Sequence, residues 1–398
     1  MSKSKTEKEP VKKNKRRGKP KKSLQRYFDA EHGIRNHWWP ALFSHEVAED
    51  DVKGITIAGE RIGLRRANDK IFAFRDQCVH RGVRLSAQPT CLTKETVSCW
   101  YHGFTYNLKD GMLSDIVASE NDPLIGRTGI RVFPAEEVGG VIFVFVGDED
   151  FDTPPLQDDL PTYPDESKRI HSPRLQDDDA LALGIHRKCI GDWRLAAESG
   201  GDPGHIMIHR KSALVLALDT ALSLGEPVSG ETSLLVNDKG WPKSVTKYND
   251  NIEPVMHREE LNIHTYGKRV PEGLRVSLCL PSTLFVENWP LPGITQYEWY
   301  VPVEKGYHEY WQLLVKDCPT EMDKEDFTLR YNTVWEDLAL KKGFNDDDIF
   351  AREAMEDFYN NRNGWDEEQL FFMDKFIVEF RKMVHKHARG VQPPPDEL

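Results

Sequence analysis

Between Gly33 and Asp150 the chain runs in short apolar or alternating blocks. GITIAG, RIGLRR, KIFAFRD, TVSCWYHGFTYNL and GVIFVFVGD are rich in Ile, Val, Phe and Tyr, and turn pairs such as Gly59-Glu60 and Asp110-Gly111 separate them. Branched and aromatic side chains at this spacing suit a pleated, half-buried surface, so the pattern predicts a compact all-β domain. The segment DTPPLQDDLPTYPDESKR that follows is dense in Pro and Asp and reads as a linker. From about Ala180 helical and strand patterns mix. Asp202 to His209 looks helical, and a strand-rich stretch runs on to about Val315. Helical spacing then dominates, notably in DDDIFAREAMEDFY and LFFMDKFIVEFRKMVHKH. The expected fold class is α+β, with an all-β domain over 33–150 and a mixed domain over 151–390.

Composition narrows the partners. The 398 residues are 39% hydrophobic and 30% charged, with no apolar run long enough for a membrane helix. Residues 1–26 hold twelve Lys/Arg and two Glu, a balance of +10, so the remainder carries −22 of the net −12. So polar and self-repelling a stretch reads as a disordered basic tail. The acidic body argues against a nucleic-acid partner. No apolar core follows the basic stretch, so no secretory signal is expected. Six scattered cysteines do not make a disulfide scaffold, and a reducing, cytoplasmic location is expected.

In that setting cysteines beside histidines point to metal. Cys78-x-His80 and Cys99-x-x-His102 are two Cys/His pairs in glycine-bearing contexts, CVHRGVRL and CWYHGFTY. Zinc accepts two Cys and two His, but zinc sites usually pair like with like along the sequence. A Rieske [2Fe-2S] cluster takes one thiolate and one imidazole from each of two loops, and the alternating order favours it. Cys91, between the pairs, reads as packing.

A second constellation follows about a hundred residues on. His205 and His209, at i and i+4, share one face of a helix. Asp202 suits the cap and Pro203 the first turn of that helix. Two histidines and a carboxylate on one face of an iron leave positions open for dioxygen and substrate. Asp346, Asp347 and Asp348 precede a helical run and offer that carboxylate. An acidic first turn also offsets the helix dipole, and the residues alone do not choose among the three.

Together and in this order, the two constellations resemble those of the α subunits of Rieske non-haem iron ring-hydroxylating oxygenases, over about residues 33–390. The segments GIRNHWWPALFS, CVHRG, CWYH, WRLAAESGGDPGHIMIH, QYEWYVP and GFNDDDIFAREAMEDFYNNRNGW carry the likeness, which is strongest to the carbazole-attacking branch. The resemblance implies a catalytic domain with an antiparallel sheet flanked by helices, of the helix-grip, StAR-related type. It implies a [2Fe-2S] cluster on Cys78, His80, Cys99 and His102, and a mononuclear Fe(II) on His205, His209 and Asp348. Asp202 becomes the acid that hydrogen-bonds His205 and meets His102 of a neighbouring subunit.

The resemblance also implies partners and a pocket. A ferredoxin, fed by an NAD(P)H-dependent reductase, supplies electrons, and O2 is the cosubstrate. The assembly is a homotrimer without a β subunit, acting on an aromatic heterocycle, with angular attack on carbazole at positions 1 and 9a. Gly200, Ile206, Val276, Leu284, Val286, Trp289, Gln296 and Phe344 would line the pocket, with the Gly200 carbonyl accepting a substrate N–H. Two residues depart from that branch: Gly201 replaces a bulky aromatic, and Trp289 replaces a smaller one. The competing functions are a Rieske monooxygenase or demethylase on another heteroaromatic, a pure electron carrier, and a zinc-stabilised binding module.

Overall fold

The strand Val141–Val146 is six consecutive apolar residues, all of them buried. It is flanked on both sides, antiparallel, by His37–Phe43 and Ala135–Val138. Residues buried on both faces of a strand need no alternation, which explains the unbroken run. Burying each of its phenylalanines stabilises the fold by roughly 2–3 kcal/mol. A computed structural model describes residues 23–161, 172–202, 204–218, 233–236, 242–248, 275–371 and 374–394. Most of the basic tail, the middle of the Pro/Asp linker and Pro203 lie outside these.

A four-stranded sheet in the order Val52–Ile57, Glu60–Ala67, Lys70–Arg75, Val132–Phe133 adjoins the first. A small third sheet, Thr96–Ser98, Phe104–Asn107 and Leu113–Ile116, completes the all-β part. Its core is a separate apolar cluster around Phe74, Val97, Tyr106 and Leu113 that encloses Cys78 and Cys99, with Cys91 packed at its edge.

The tail ends earlier than its composition suggests. Gln25 and Arg26 belong to a short helix, Gln25–Asp29, anchored by the fully buried Tyr27. Arg26 Nη2 donates to the Ala388 carbonyl at 2.5 Å, so this end of the chain is held against the C-terminal helix Lys375–His387.

A seven-stranded antiparallel sheet forms the second half, in the order Ala180–Ile190, Tyr307–Asp317, Ile294–Glu304, Thr283–Glu287, Arg275–Cys279, Pro242–Tyr248, Ser233–Val236. Side chains alternate across it, so its two faces carry different chemistry. One face bears Trp299 and Trp311, whose rings meet Phe143 (6.0 Å) and Phe43 (4.8 Å) of the all-β part. The opposite face bears Gln296, Glu298 and Tyr300, and helices Trp193–Gly201 and Asn345–Glu356 pack there. Among the described residues, no helix is long and apolar enough to cross a membrane.

Candidate metal centres

The two Cys/His loops are built alike. Gly82 N–H donates to the Cys78 carbonyl at 2.9 Å, and Gly103 N–H donates to the Cys99 carbonyl at 2.9 Å. Both glycines hold positive φ, +70° and +71°, which side chains rarely adopt. Each turn sends its cysteine inward, 2% exposed, while His80 is exposed and His102 half-buried. The two Nδ1 atoms lie 3.2 Å apart, and His80 stacks on Phe104 at 5.0 Å. Burial and the nearby Cys78 thiol push the Cys99 thiol up. Two buried cysteines and two neighbouring outward imidazoles suit a cluster with one sulfur-ligated and one nitrogen-ligated iron. The Tyr106 hydroxyl reaches Cys78 Sγ at 3.1 Å, a contact the sequence reading missed.

The second centre forms where a short 3-10 helix, His205–Lys211, meets the first turn of Asn345–Glu356. Nε2 of His205 lies 3.5 Å from Asp348 Oδ1, and Nε2 of His209 lies 3.4 Å from the same oxygen. His209 Nε2 and Asp348 Oδ1 are buried without a hydrogen-bond partner. Leaving such atoms unpaired is costly in a core, so a metal ion there satisfies what the protein does not. The donor set of two imidazoles and one carboxylate fits non-haem Fe(II).

The outer nitrogens are fixed. His205 Nδ1 bonds the Asp202 carbonyl, and His209 Nδ1 has Ser212 Oγ at 3.3 Å and Asp347 Oδ2 at 3.6 Å. Such partners set each tautomer and aim Nε2 inward. Burial lowers the basicity of His205. At His209 burial is outweighed by Asp348 and Asp347, which raise it to about 9. Burial alone would raise the Asp348 carboxyl, but His209, Arg352 and His205 hold it below the ordinary carboxylate range.

The aspartate triplet is thereby sorted. Asp348 meets the histidines, Asp347 accepts from Ser212 Oγ at 2.6 Å, and Asp346 pairs with Arg187 at 2.7 Å. Asp202 differs from expectation. It is the C-cap of helix Trp193–Gly201, and its carboxylate accepts the Gly204 amide at 2.7 Å. Its bond to His205 runs through the backbone carbonyl instead of the side chain. Asp202 precedes a proline, which disfavours helical backbone there, and it is extended at φ −70°, ψ 119°.

The pocket residues fall around this centre. Val276, Val286 and Gln296 stand in register across three adjacent strands, and Leu284 shares their face two residues along. Phe344 stacks on His209 at 3.7 Å and meets Trp289 at 5.1 Å. Ile206 packs beside that cluster. Gly200 is where the helix touches the sheet: a Cβ there would sit 2.0 Å from the Tyr300 hydroxyl. At Gly201 a Cβ would sit 2.1 Å from Phe376, whose ring occupies the space beside that glycine. The sequence reading missed Glu298, Asn345, Tyr310 and Arg352, which back the centre from the sheet and helix; only the position of Asn345 before the Asp triplet hinted at one of them.

Comparisons with known proteins agree with both centres. Residues 37–134 match the Rieske [2Fe-2S] domain, and residues 145–392 match the homotrimeric ring hydroxylase family. The terminal oxygenase component of carbazole 1,9a-dioxygenase from a Sphingomonas species is 40% identical over 375 residues, 92% of this chain and 95% of that protein. The solved 2-oxoquinoline 8-monooxygenase component is 44% identical, with a TM-score of 0.86 over 94% of this chain and 90% of that one. A reduced complex between oxygenase and ferredoxin in carbazole 1,9a-dioxygenase gives 36% identity and a TM-score of 0.82, over 94% of both chains. A likeness that spans nearly the whole chain, and both halves in order, removes the isolated electron carrier and the zinc module, and this chain belongs to the homotrimeric ring hydroxylases, the Rieske oxygenases that pair a [2Fe-2S] cluster with a mononuclear iron.

Proposed function

We propose that this chain is the terminal oxygenase of a system that oxidises a fused nitrogen heteroaromatic, with carbazole as substrate and angular attack at 1,9a as the reaction. Cys78, His80, Cys99 and His102 hold the cluster within a domain over 33–150. His205, His209 and Asp348 hold the iron within a domain over 151–390. When bound, these groups pass electrons singly and activate dioxygen. The cysteines keep the sulfur side of the cluster dry, and the exposed histidine edge faces a redox partner. Asp202 and Ser212 hold the iron histidines through Nδ1, while Phe344 and Trp289 give an apolar, aromatic wall beside His209.

The observation that carries this reading is the unpaired metal-facing pair, His209 Nε2 and Asp348 Oδ1, beside that wall. Gln296 adds specificity, since its Oε1 is buried without a hydrogen-bond partner and suits a ring N–H. A ferredoxin is the proposed electron donor. The catalytic sheet stands between the all-β domain and the iron pocket of one chain, so a head-to-tail homotrimer is the proposed working form, with Asp202 meeting His102 of the neighbour. A bacterial cytoplasm is the proposed location, since the Cys78 and Cys99 thiols that the cluster needs persist in a reducing compartment.

A monooxygenase reading is favoured by the 44% identity to the 2-oxoquinoline enzyme. Turnover with ferredoxin, reductase, NAD(P)H and labelled dioxygen separates the two. Carbazole converted to an aminobiphenyl diol carrying both labelled atoms supports the first reading. A single labelled atom in 2-oxoquinoline supports the second. Uptake of electrons without oxygenation of any heteroaromatic sinks both.

A further inference from the structure

Glu298 is a carboxylate only 3% exposed, on the sheet face that looks toward the iron-site residues. It accepts hydrogen bonds from Gln296 Nε2 (2.6 Å), Asn345 Nδ2 (2.8 Å) and the Tyr300 hydroxyl (2.5 Å). The same Asn345 Nδ2 also lies 3.3 Å from Asp348 Oδ2 and 2.8 Å from the Tyr310 hydroxyl. One amide therefore bridges two buried carboxylates. Arg352, 1% exposed, lies over the rings of Tyr310 (4.5 Å) and Tyr300 (4.9 Å) and supplies a positive charge beside both acids.

The bridge divides the labour of Asp348: Oδ2 faces Asn345, and Oδ1 faces His205 and His209. A carboxylate that would ligate a metal is oriented by its own hydrogen-bond partners, and losing them weakens the site. We propose that Glu298 and Asn345 are positioning residues that fix the rotation of Asp348 relative to His205 and His209. Gln296 extends the same network to the substrate wall. This inference rests on the reading that His205, His209 and Asp348 hold iron.

The test uses the purified holoenzyme. Glu298→Gln keeps the size but removes the charge and one acceptor, so the Tyr300 hydroxyl can no longer donate to that position and the network must rearrange. Asn345→Ala deletes the bridge and leaves room for water, and it serves if the first variant fails to fold. Two readouts are taken: iron retained against a chelator, and the electron paramagnetic resonance of the mononuclear iron with nitric oxide as probe. Each folded variant should hold iron about tenfold more weakly and give a shifted or split signal. The visible spectrum of the cluster should match the parent, which separates positioning from a general folding defect. A folded variant of either kind with the parent's iron retention and line shape overturns the proposal. A parent with an intact cluster and no iron–nitric oxide signal overturns the underlying assignment of the iron site, a result visible before any variant is made.

Discussion

Nε2 of His186, on the edge strand of the large sheet, lies 3.0 Å from Oε2 of Glu46, which belongs to the all-β part of the chain. Nδ1 of the same ring lies 2.7 Å from Glu309, and the ring stacks on Trp311 at 4.5 Å. A ring with a carboxylate at each nitrogen is an imidazolium donating twice, and here it joins the two halves of the molecule. Burial works against the charge, but the bonds to Glu309 and Glu46 outweigh it and raise the group from 6.5 to about 9.

A raised folded-state value gives a defined pH dependence. The stabilisation is complete below the unfolded value of 6.5 and is lost as pH rises through about 9. The full shift corresponds to about 3 kcal/mol, and water at the partly exposed ring reduces this to about 1–2 kcal/mol. The melting temperature should therefore fall between these pH values, and His186→Leu should flatten that slope. Equal slopes for parent and variant in thermal melts count against the assignment.

Tyr106 donates its hydroxyl toward Cys78 Sγ at 3.1 Å. A donor at a cluster sulfur stabilises the reduced, more negative form. Tyr106→Phe should lower the cluster potential by roughly 40 mV, the equivalent of one hydrogen bond of about 1 kcal/mol. Redox titration of the visible spectrum measures this. An unchanged potential means the hydroxyl serves only the Val79 amide, 3.2 Å away.

The three neighbouring aspartates should separate cleanly. Asp348→Ala should yield protein with an intact cluster spectrum and no mononuclear iron. Asp347→Asn should retain iron at about tenfold lower affinity, because it loosens the hold on His209. Asp346→Asn should keep iron and lose about 0.5–1 kcal/mol of stability with the Arg187 pair. Iron analysis of the three proteins decides, and loss of iron in the Asp346 variant alone contradicts the site.

Asp202→Asn keeps the size of the side chain and the backbone carbonyl that holds His205. It removes the charge proposed to sit between His205 and the neighbouring subunit's cluster. The variant should retain both metals and the cluster spectrum while losing most ferredoxin-coupled oxygenation. Turnover at the parent rate would leave Asp202 as a helix C-cap on the Gly204 amide and nothing more.

Much of this was legible in the sequence because it is local. Alternation and apolar runs marked the strands from Gly33 to Asp150, and the paired Cys/His spacings marked the cluster loops, where a turn of a few residues and one positive-φ glycine suffice to aim two ligands. His205 and His209 were also legible as a pair, although the spacing suggested one face of an α-helix and the element is a 3-10 helix, in which residues four apart do not share a face. Helix ends were less so. Asp202 reads as an N-cap in sequence and serves as a C-cap, since the helix before it continues through both glycines and the residue before a proline leaves the helical region.

The sequence by itself determined which residues can ligate metal and that two separate sets exist in order along the chain. Only the tertiary structure decided which of Asp346, Asp347 and Asp348 faces His205 and His209, because that choice depends on the rotation of one helix against another far away in sequence. It alone brought Glu298 to Asn345, 47 residues apart, since strand register and helix packing both enter that contact. It also placed the two proposed metal centres on opposite faces of one sheet, and alternation along a strand gives two faces without saying what covers either.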